Sequence, residues 1–325
     1  MRLHGLFLYM ALACGELSAQ DAAPMPPAAP KEIPLPKGTV ALPLKLFANR
    51  LFVKVKVGDA EYDGLIDTGS ECTLLNRAKV NVKEAHMVGS DQLEGAFVGG
   101  MRPDIAQMPN LALGEFVVAN ARVGIVNQPK EEQPLGRIEV LLGMDILGKR
   151  RITLDFINDR LLIWPDGAPL PKPAEGQERI TFSAQRAGSD AGIRPRVQVR
   201  FGGKISQLML IDTGADDLIV SALRKPDELG AKLEAQVLAD VNVNDGQTRQ
   251  LEMHQASFES VEIGALKLSN VTGRFVDGSA IVNPVAKETL NAAYNLIGTQ
   301  FLRTQCKQIT FDLANRNIYF DRAKK

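Results

Sequence analysis

The sequence predicts an all-β protein built from two tandem copies of one unit, and three observations carry that reading. The stretch Gly64-Leu65-Ile66-Asp67-Thr68-Gly69-Ser70 returns as Met209-Leu210-Ile211-Asp212-Thr213-Gly214-Ala215, with Leu-Ile-Asp-Thr-Gly identical. Each copy follows alternating, β-branched sequence, Leu51 to Val57 before the first and Val197 to Phe201 before the second. Later landmarks recur in the same order, Leu141-Leu142-Gly143 as Leu296-Ile297-Gly298. A single Asp-Thr-Gly is an ordinary strand-to-turn junction. Two copies behind the same Leu-Ile pair are not. The offset between copies is 145 at the aspartates (67 to 212), 150 at Gly114 and Gly264, and 155 at Gly143 and Gly298. A few loop insertions explain that drift, so the organisation is one unit duplicated and fused.

Taken in order, the chain opens with Arg2 and an apolar run, Gly5 to Ala13, too short to span a bilayer. This predicts an export signal. Cleavage near Ala19 gives a signal peptide of residues 1–19, although Leu17 is large for its place. Ala11-Leu12-Ala13-Cys14 resembles a bacterial lipobox, with Ala11 where leucine is usual; processing there ends the signal at 13 and puts a lipid anchor on Cys14. Residues 20–38 form an Ala/Pro-rich, semi-extended spacer. The first lobe is expected over 39–165, with strands Leu51–Val57 and the one ending at Leu65-Ile66. Cys72–Leu75 follows as a short buried strand. Gln92–Val98 and Met101–Met108 should form a hairpin around Gly99-Gly100. Asn110–Val118 is another hairpin, Asn120–Val126 follows it, and Ile152–Phe156 and Arg160–Trp164 close the lobe. Pro- and Gly-rich residues 166–178 read as the linker. The second lobe, 179–325, repeats the pattern, with Val237–Val243 and Thr248–Met253 flanking an Asn244-Asp245-Gly246 turn.

Composition narrows the function. Apolar residues make up 45% of the chain, which is normal for a packed globular protein. Lys+Arg and Asp+Glu balance at 38 each, which gives no basic face for nucleic acid. The three histidines, His4, His86 and His254, lie far apart, and no zinc or P-loop pattern is present, so no metal or cofactor is expected. No Gly-x-Ser-x-Gly elbow occurs. Three cysteines make no disulfide framework, and Cys72 and Cys306 are expected as two buried free thiols, the alternative being a bond between them.

Residues 40 to 325 resemble the pepsin/retropepsin-type aspartic proteases. In that family each lobe supplies a hydrophobic-hydrophobic-Asp-Thr-Gly-Ser/Ala loop, matched by Asp67-Thr68-Gly69-Ser70 and Asp212-Thr213-Gly214-Ala215. Each lobe also supplies a later hydrophobic-hydrophobic-Gly element, matched by Leu141-Leu142-Gly143 and Leu296-Ile297-Gly298. The short repeats are more similar to single-lobe bacterial retropepsin-like domains than to a pepsin lobe. The resemblance implies two retropepsin-like β-barrel lobes related by a pseudo-twofold axis, in one chain acting as a monomer. It implies an exported aspartic endopeptidase with Asp67 and Asp212 as catalytic residues and a peptide or protein as substrate.

The chemistry suits those residues. Two carboxylates held close cannot both ionise, so one serves as base for a water and the other as acid for the leaving group, as in aspartic proteases generally. Thr68 and Thr213 can hydrogen-bond across the axis. Gly69 and Gly214 let the backbone approach the carboxylates. The hairpin tips, Phe97-Val98-Gly99-Gly100 and Asn244-Asp245-Gly246, are expected as flaps over a substrate. Ser70, beside Asp67, is expected to donate to that carboxylate and favour its ionised form, leaving the shared proton on Asp212; the alternative is that its hydroxyl merely satisfies the turn. The alternatives are a catalytically silent peptide-binding protein using the same cleft, and an arrangement in which the lobes do not face each other and two chains are needed.

Overall fold

The computed structural model describes residues 35–90, 103–126, 138–183, 185–187, 194–222, 224–242, 248–277 and 295–323. It is all-β, with two closed six-stranded barrels. In the first, Arg50–Val57 pairs antiparallel with Ala60–Ile66, which runs parallel to Val140–Leu142. Leu74–Asn76 lies antiparallel to Val140–Leu142 and parallel to Phe116–Val126. Phe116–Val126 folds back on Asp104–Leu113, which returns to Arg50–Val57 at Lys56 and Val57 and closes the ring. Alternation produces the barrel: Leu51, Val53, Val55 and Val57 are buried inside, while Lys54 and Lys56 face outward. The second barrel repeats this order with Arg194–Phe201, Ile205–Ile211, Leu296–Ile297, Leu218–Ala222, Leu266–Asp277 and Thr248–Ile263.

The duplication extends to backbone detail. Gly114 and Gly264 turn their hairpins at φ 58° and 55°, and Asn120 and Asn270 take φ 50° and 53° within the returning strands. Asparagine is the side chain that best tolerates that conformation.

A third, six-stranded antiparallel sheet joins the lobes, in the order Val40–Pro43, Arg160–Ile163, Ile152–Asp155, Gln308–Asp312, Asn317–Ala323 and Gln177–Ser183. Three strands come from each half. Its central pair is Thr153 opposite Thr310, equivalent residues of the two copies, with hydroxyls 2.7 Å apart. They mark the pseudo-twofold axis, and Trp164 Nε1 donates to Thr153 Oγ1 at 2.8 Å. One buried apolar cluster runs from the first barrel, with Val53 and Val55, through Leu154 and Phe311 of this sheet, to Val199 and Phe201 of the second. The lobes face each other within one chain, held by a shared core.

Two sequence expectations shift. The strand after the first Asp-Thr-Gly is Leu74–Asn76, not Cys72–Leu75. The backbone carbonyls of Ser70 and Glu71 instead accept from Met144 N and Asp145 N, the start of a short helix, Met144–Leu147. The first-lobe hairpin has arms His86–Ser90 and Asp104–Leu113. Its expected tip residues Phe97, Val98, Gly99 and Gly100, like Asn244, Asp245 and Gly246 of the second lobe, lie outside the described residues, as do residues 1–34 with Cys14. Cys72 and Cys306 are both buried and free.

Candidate active site

Asp67 and Asp212 sit at the ends of equivalent strands, Ala60–Ile66 and Ile205–Ile211. Each takes its backbone bond from the neighbouring parallel strand: Asp67 N donates to Leu142 O and Asp212 N to Ile297 O, both at 3.0 Å. The two loops interlock. Thr68 Oγ1 donates to Ile211 O (2.8 Å) and accepts from Thr213 N (3.1 Å). Thr213 Oγ1 donates to Ile66 O (2.7 Å) and accepts from Thr68 N (3.0 Å). Both threonines are fully buried, so these four bonds act where water cannot replace them.

This clasp aims the carboxylates at each other. The side chains of Asp67 and Asp212 are hydrogen-bonded together. Gly69 N donates to Asp67 Oδ1 at 2.9 Å, and Gly214 N to Asp212 Oδ1 at 2.8 Å. Each carboxylate also packs on the other lobe's glycine. A Cβ added at Gly69 would lie 2.3 Å from Asp212 Cγ, and one at Gly214 would lie 2.7 Å from Asp67 Cγ. No side chain fits at either position without moving a carboxylate.

The hydrophobic-hydrophobic-Gly elements support the loops from behind. A Cβ on Gly143 would meet the Cys72 backbone at 2.5 Å, and one on Gly298 the Asp217 backbone at the same distance. Gly143→Ala is therefore expected to destabilise the protein by about 1–3 kcal/mol, as overpacking against backbone does. A urea midpoint equal to that of the unsubstituted protein would contradict this packing.

Environment separates the two carboxyls. Asp67 is 2% exposed, whereas Asp212 is partly exposed. Burial holds the Asp67 carboxyl well above the ordinary carboxylate range, and the negative charge of Asp212 raises it further. Burial raises Asp212 as well, but the hydrogen bond from Asp67, the N–H groups of Gly214 and Ala215, and the charge of Arg50 oppose that rise. Both carboxyls are pushed upward by burial, so the pair holds a proton between them. The hydroxyl bond expected at Asp67 is not made: Ser70 donates to Cys72 O at 2.8 Å instead. The hydroxyl secures the turn and leaves the carboxylate to backbone donors.

Sequence reasoning overlooked three charged residues around the pair. Arg50 Nε donates to Gly214 O at 3.0 Å, and its Nη2 lies 3.4 Å from Asp216 Oδ1. The equivalent Arg194 places Nη2 at 2.8 Å from Glu71 Oε1. These two ion pairs cross between lobes on either side of the carboxyls. The signal was present in the strand register, which sets Arg50 opposite Asp67 and Arg194 opposite Asp212 when the strand pairing is continued by two residues. The third residue is Asp145. It accepts from Thr73 Oγ1 at 2.7 Å, and that hydroxyl accepts from Gly143 N at 3.1 Å. Burial pushes Asp145 up to about 6.

Residues 53–146 match a protein family described as aspartyl protease. That span contains Asp67 and Gly143, and the second barrel repeats its strand order. The fold is that of a two-lobed, retropepsin-like aspartic protease. No curated protein matches the chain. In this aspartic protease fold the two lobes of one chain supply the interlocked loops. No helix among the described residues is long and apolar enough to cross a membrane.

Proposed function

We propose that this protein is an aspartic endopeptidase, in which Asp67 and Asp212 hydrolyse a peptide bond through an activated water. The observation that carries the reading is the contact of the two carboxyls, each packed against the opposite lobe's glycine with no room for a side chain. Asp212, ionised, removes a proton from water as the water oxygen attacks the peptide carbonyl carbon. Asp67, protonated, hydrogen-bonds to the carbonyl oxygen and stabilises the developing oxyanion. Collapse of the tetrahedral species breaks the C–N bond, and the departing nitrogen takes the proton that Asp212 collected. The buried, apolar flanks Leu65-Ile66 and Leu210-Ile211 lower the local dielectric and strengthen each of these interactions. We further propose that the N-terminal segment exports the enzyme; N-terminal sequencing of the protein outside the cytoplasm, with a lipid assay at Cys14, tests that.

Incubating the purified protein with a peptide mixture from pH 3 to 8, beside an Asp67→Asn control, tests the reaction. The expected result is cleavage confined to the unsubstituted protein, following a bell-shaped profile. Activity rises as Asp212 loses its proton and falls as Asp67 loses its own, and the raised Asp67 carries the upper limb beyond the ordinary carboxylate range. Because the Ser70 hydroxyl faces Cys72 O, Ser70→Ala is expected to leave both limbs of the kcat/KM profile in place. A shift of either limb would mean that the hydroxyl reaches the carboxyls during turnover. Absence of cleavage at every pH would leave the cleft as a binding site alone.

A further inference from the structure

Strand geometry decides what shares a face with the two carboxyls. Side chains two residues apart point the same way, so Leu65 lies on the face of Asp67 and Leu210 on that of Asp212. Residues directly opposite on paired strands also share a face. In the first lobe this gives the row Phe52, Leu65, Leu141, Leu74 and Gly124, each opposite the next. In the second lobe the same positions hold Arg196, Leu210, Leu296, Ile219 and Arg274. The ends of the row have changed from phenylalanine and glycine to two arginines.

The two rows also differ in cover. Leu65, Leu74 and Leu141 are buried with Cys72, Val126 and Ile138, and Phe52 packs on them. In the second lobe Leu296, Ile219 and both arginines are partly exposed. Arg274 has an acid of its own, with Nε 3.4 Å from Asp217 Oδ2. Arg196 does not: among the described residues its Nε is buried without a hydrogen-bond partner. Arg194, two residues away on the same face, adds a second positive charge. The neighbouring acid, Glu71, is already held by Arg194 at 2.8 Å. Burial and Arg194 both push the Arg196 guanidinium below its ordinary range, and the charge of Glu71 only partly offsets them. A buried guanidinium N–H without a hydrogen-bond partner is costly, and a carboxylate is the group that satisfies its planar fork.

We propose that Arg196 is a specificity-determining residue that binds a carboxylate of the peptide substrate on the Asp212 side of the cleft. It stands two strand residues, about 7 Å, from the position opposite Asp212. Leu210, Leu296 and Ile219 beside it take an apolar neighbour of that acidic residue. This rests on the peptidase reading, so the test separates binding from cutting. A randomised decapeptide library is passed over immobilised full-length Asp67→Asn protein, with free-acid and amidated C-termini in separate pools. Retained peptides are expected to be enriched about tenfold in Asp or Glu at one position next to an apolar residue. Arg196→Gln on the same background removes the enrichment, and Arg196→Lys keeps part of it. Enrichment of free acids over amides that disappears in Arg196→Gln supports the same subsite, with the carboxylate at the chain end. Retention without acidic preference, a preference unchanged by Arg196→Gln, or no retention overturns the proposal. Cleavage of the library by the unsubstituted protein is scored separately. Arg196-dependent retention without cleavage sinks the peptidase reading alone, and cleavage without acidic preference sinks the subsite alone.

Discussion

Asp67→Asn is expected to lower kcat by about 10³-fold or more, because it removes the proton that stabilises the oxyanion, a role worth about 10²–10⁴ in general acid–base catalysis. Asp212→Asn removes the base and is expected to cost as much. The double variant should be no worse than either single one, since half a pair does not catalyse. Near-normal turnover of labelled peptide by either single variant would exclude a shared pair. Stability should move the other way. The Asp67 carboxyl stays protonated in the fold at a pH where the unfolded chain ionises it. The native state is therefore destabilised progressively as pH rises above about 4, the ordinary carboxylate value. Asparagine carries no such penalty. The thermal midpoint of Asp67→Asn should exceed that of the unsubstituted protein at pH 7 and converge with it near pH 3. A gain that persists at pH 3 would show that the penalty is not ionisation.

Thr68→Val is expected to destabilise the protein by about 2–5 kcal/mol. Valine keeps the volume, so no cavity forms. It strands Thr213 N and Ile211 O, both in the buried clasp, and each unpaired buried group costs about 1–3 kcal/mol. Thr213→Val strands Thr68 N and Ile66 O and should cost the same. Thr68→Ser keeps the hydroxyl and should recover most of the loss. Activity should fall with the clasp, since its four bonds join the two Asp-Thr-Gly loops directly. Urea midpoints and kcat/KM for the three variants check this. A Val variant as stable as the Ser variant would mean that the hydroxyls contribute no net energy.

The fold class was legible because duplication writes the same constraints twice. Leu65-Ile66 and Leu210-Ile211 must be apolar to close two barrels, and Gly143 and Gly298 must lack a side chain to sit against backbone. Such residues announce themselves singly and in pairs. The electrostatics were not legible, for a physical reason. Ser70 stands three residues after Asp67, yet sequence distance says nothing of where a rotating hydroxyl donates, and it found the Cys72 carbonyl. Arg50 and Arg194 precede their aspartates by 17 and 18 positions and act on acids of the other lobe, so only strand register reveals them. The helix Met144–Leu147 was hidden because four residues are too few to display a helical period.

The interlobe sheet sets the order in which the paired carboxyls can be brought together. Its centre pairs Ile152–Asp155 with Gln308–Asp312, and its outer strand Gln177–Ser183 pairs with Asn317–Ala323. During synthesis the first half emerges with its barrel but without that partner, and with Asp67 facing no second carboxyl. The contacts that bring the halves together span over 150 residues, among the slowest kind to form. The last strand is needed for the sheet that fixes Asp212 opposite Asp67. A chain still lacking those strands has one carboxyl of the pair and none of the sheet that sets the other opposite it.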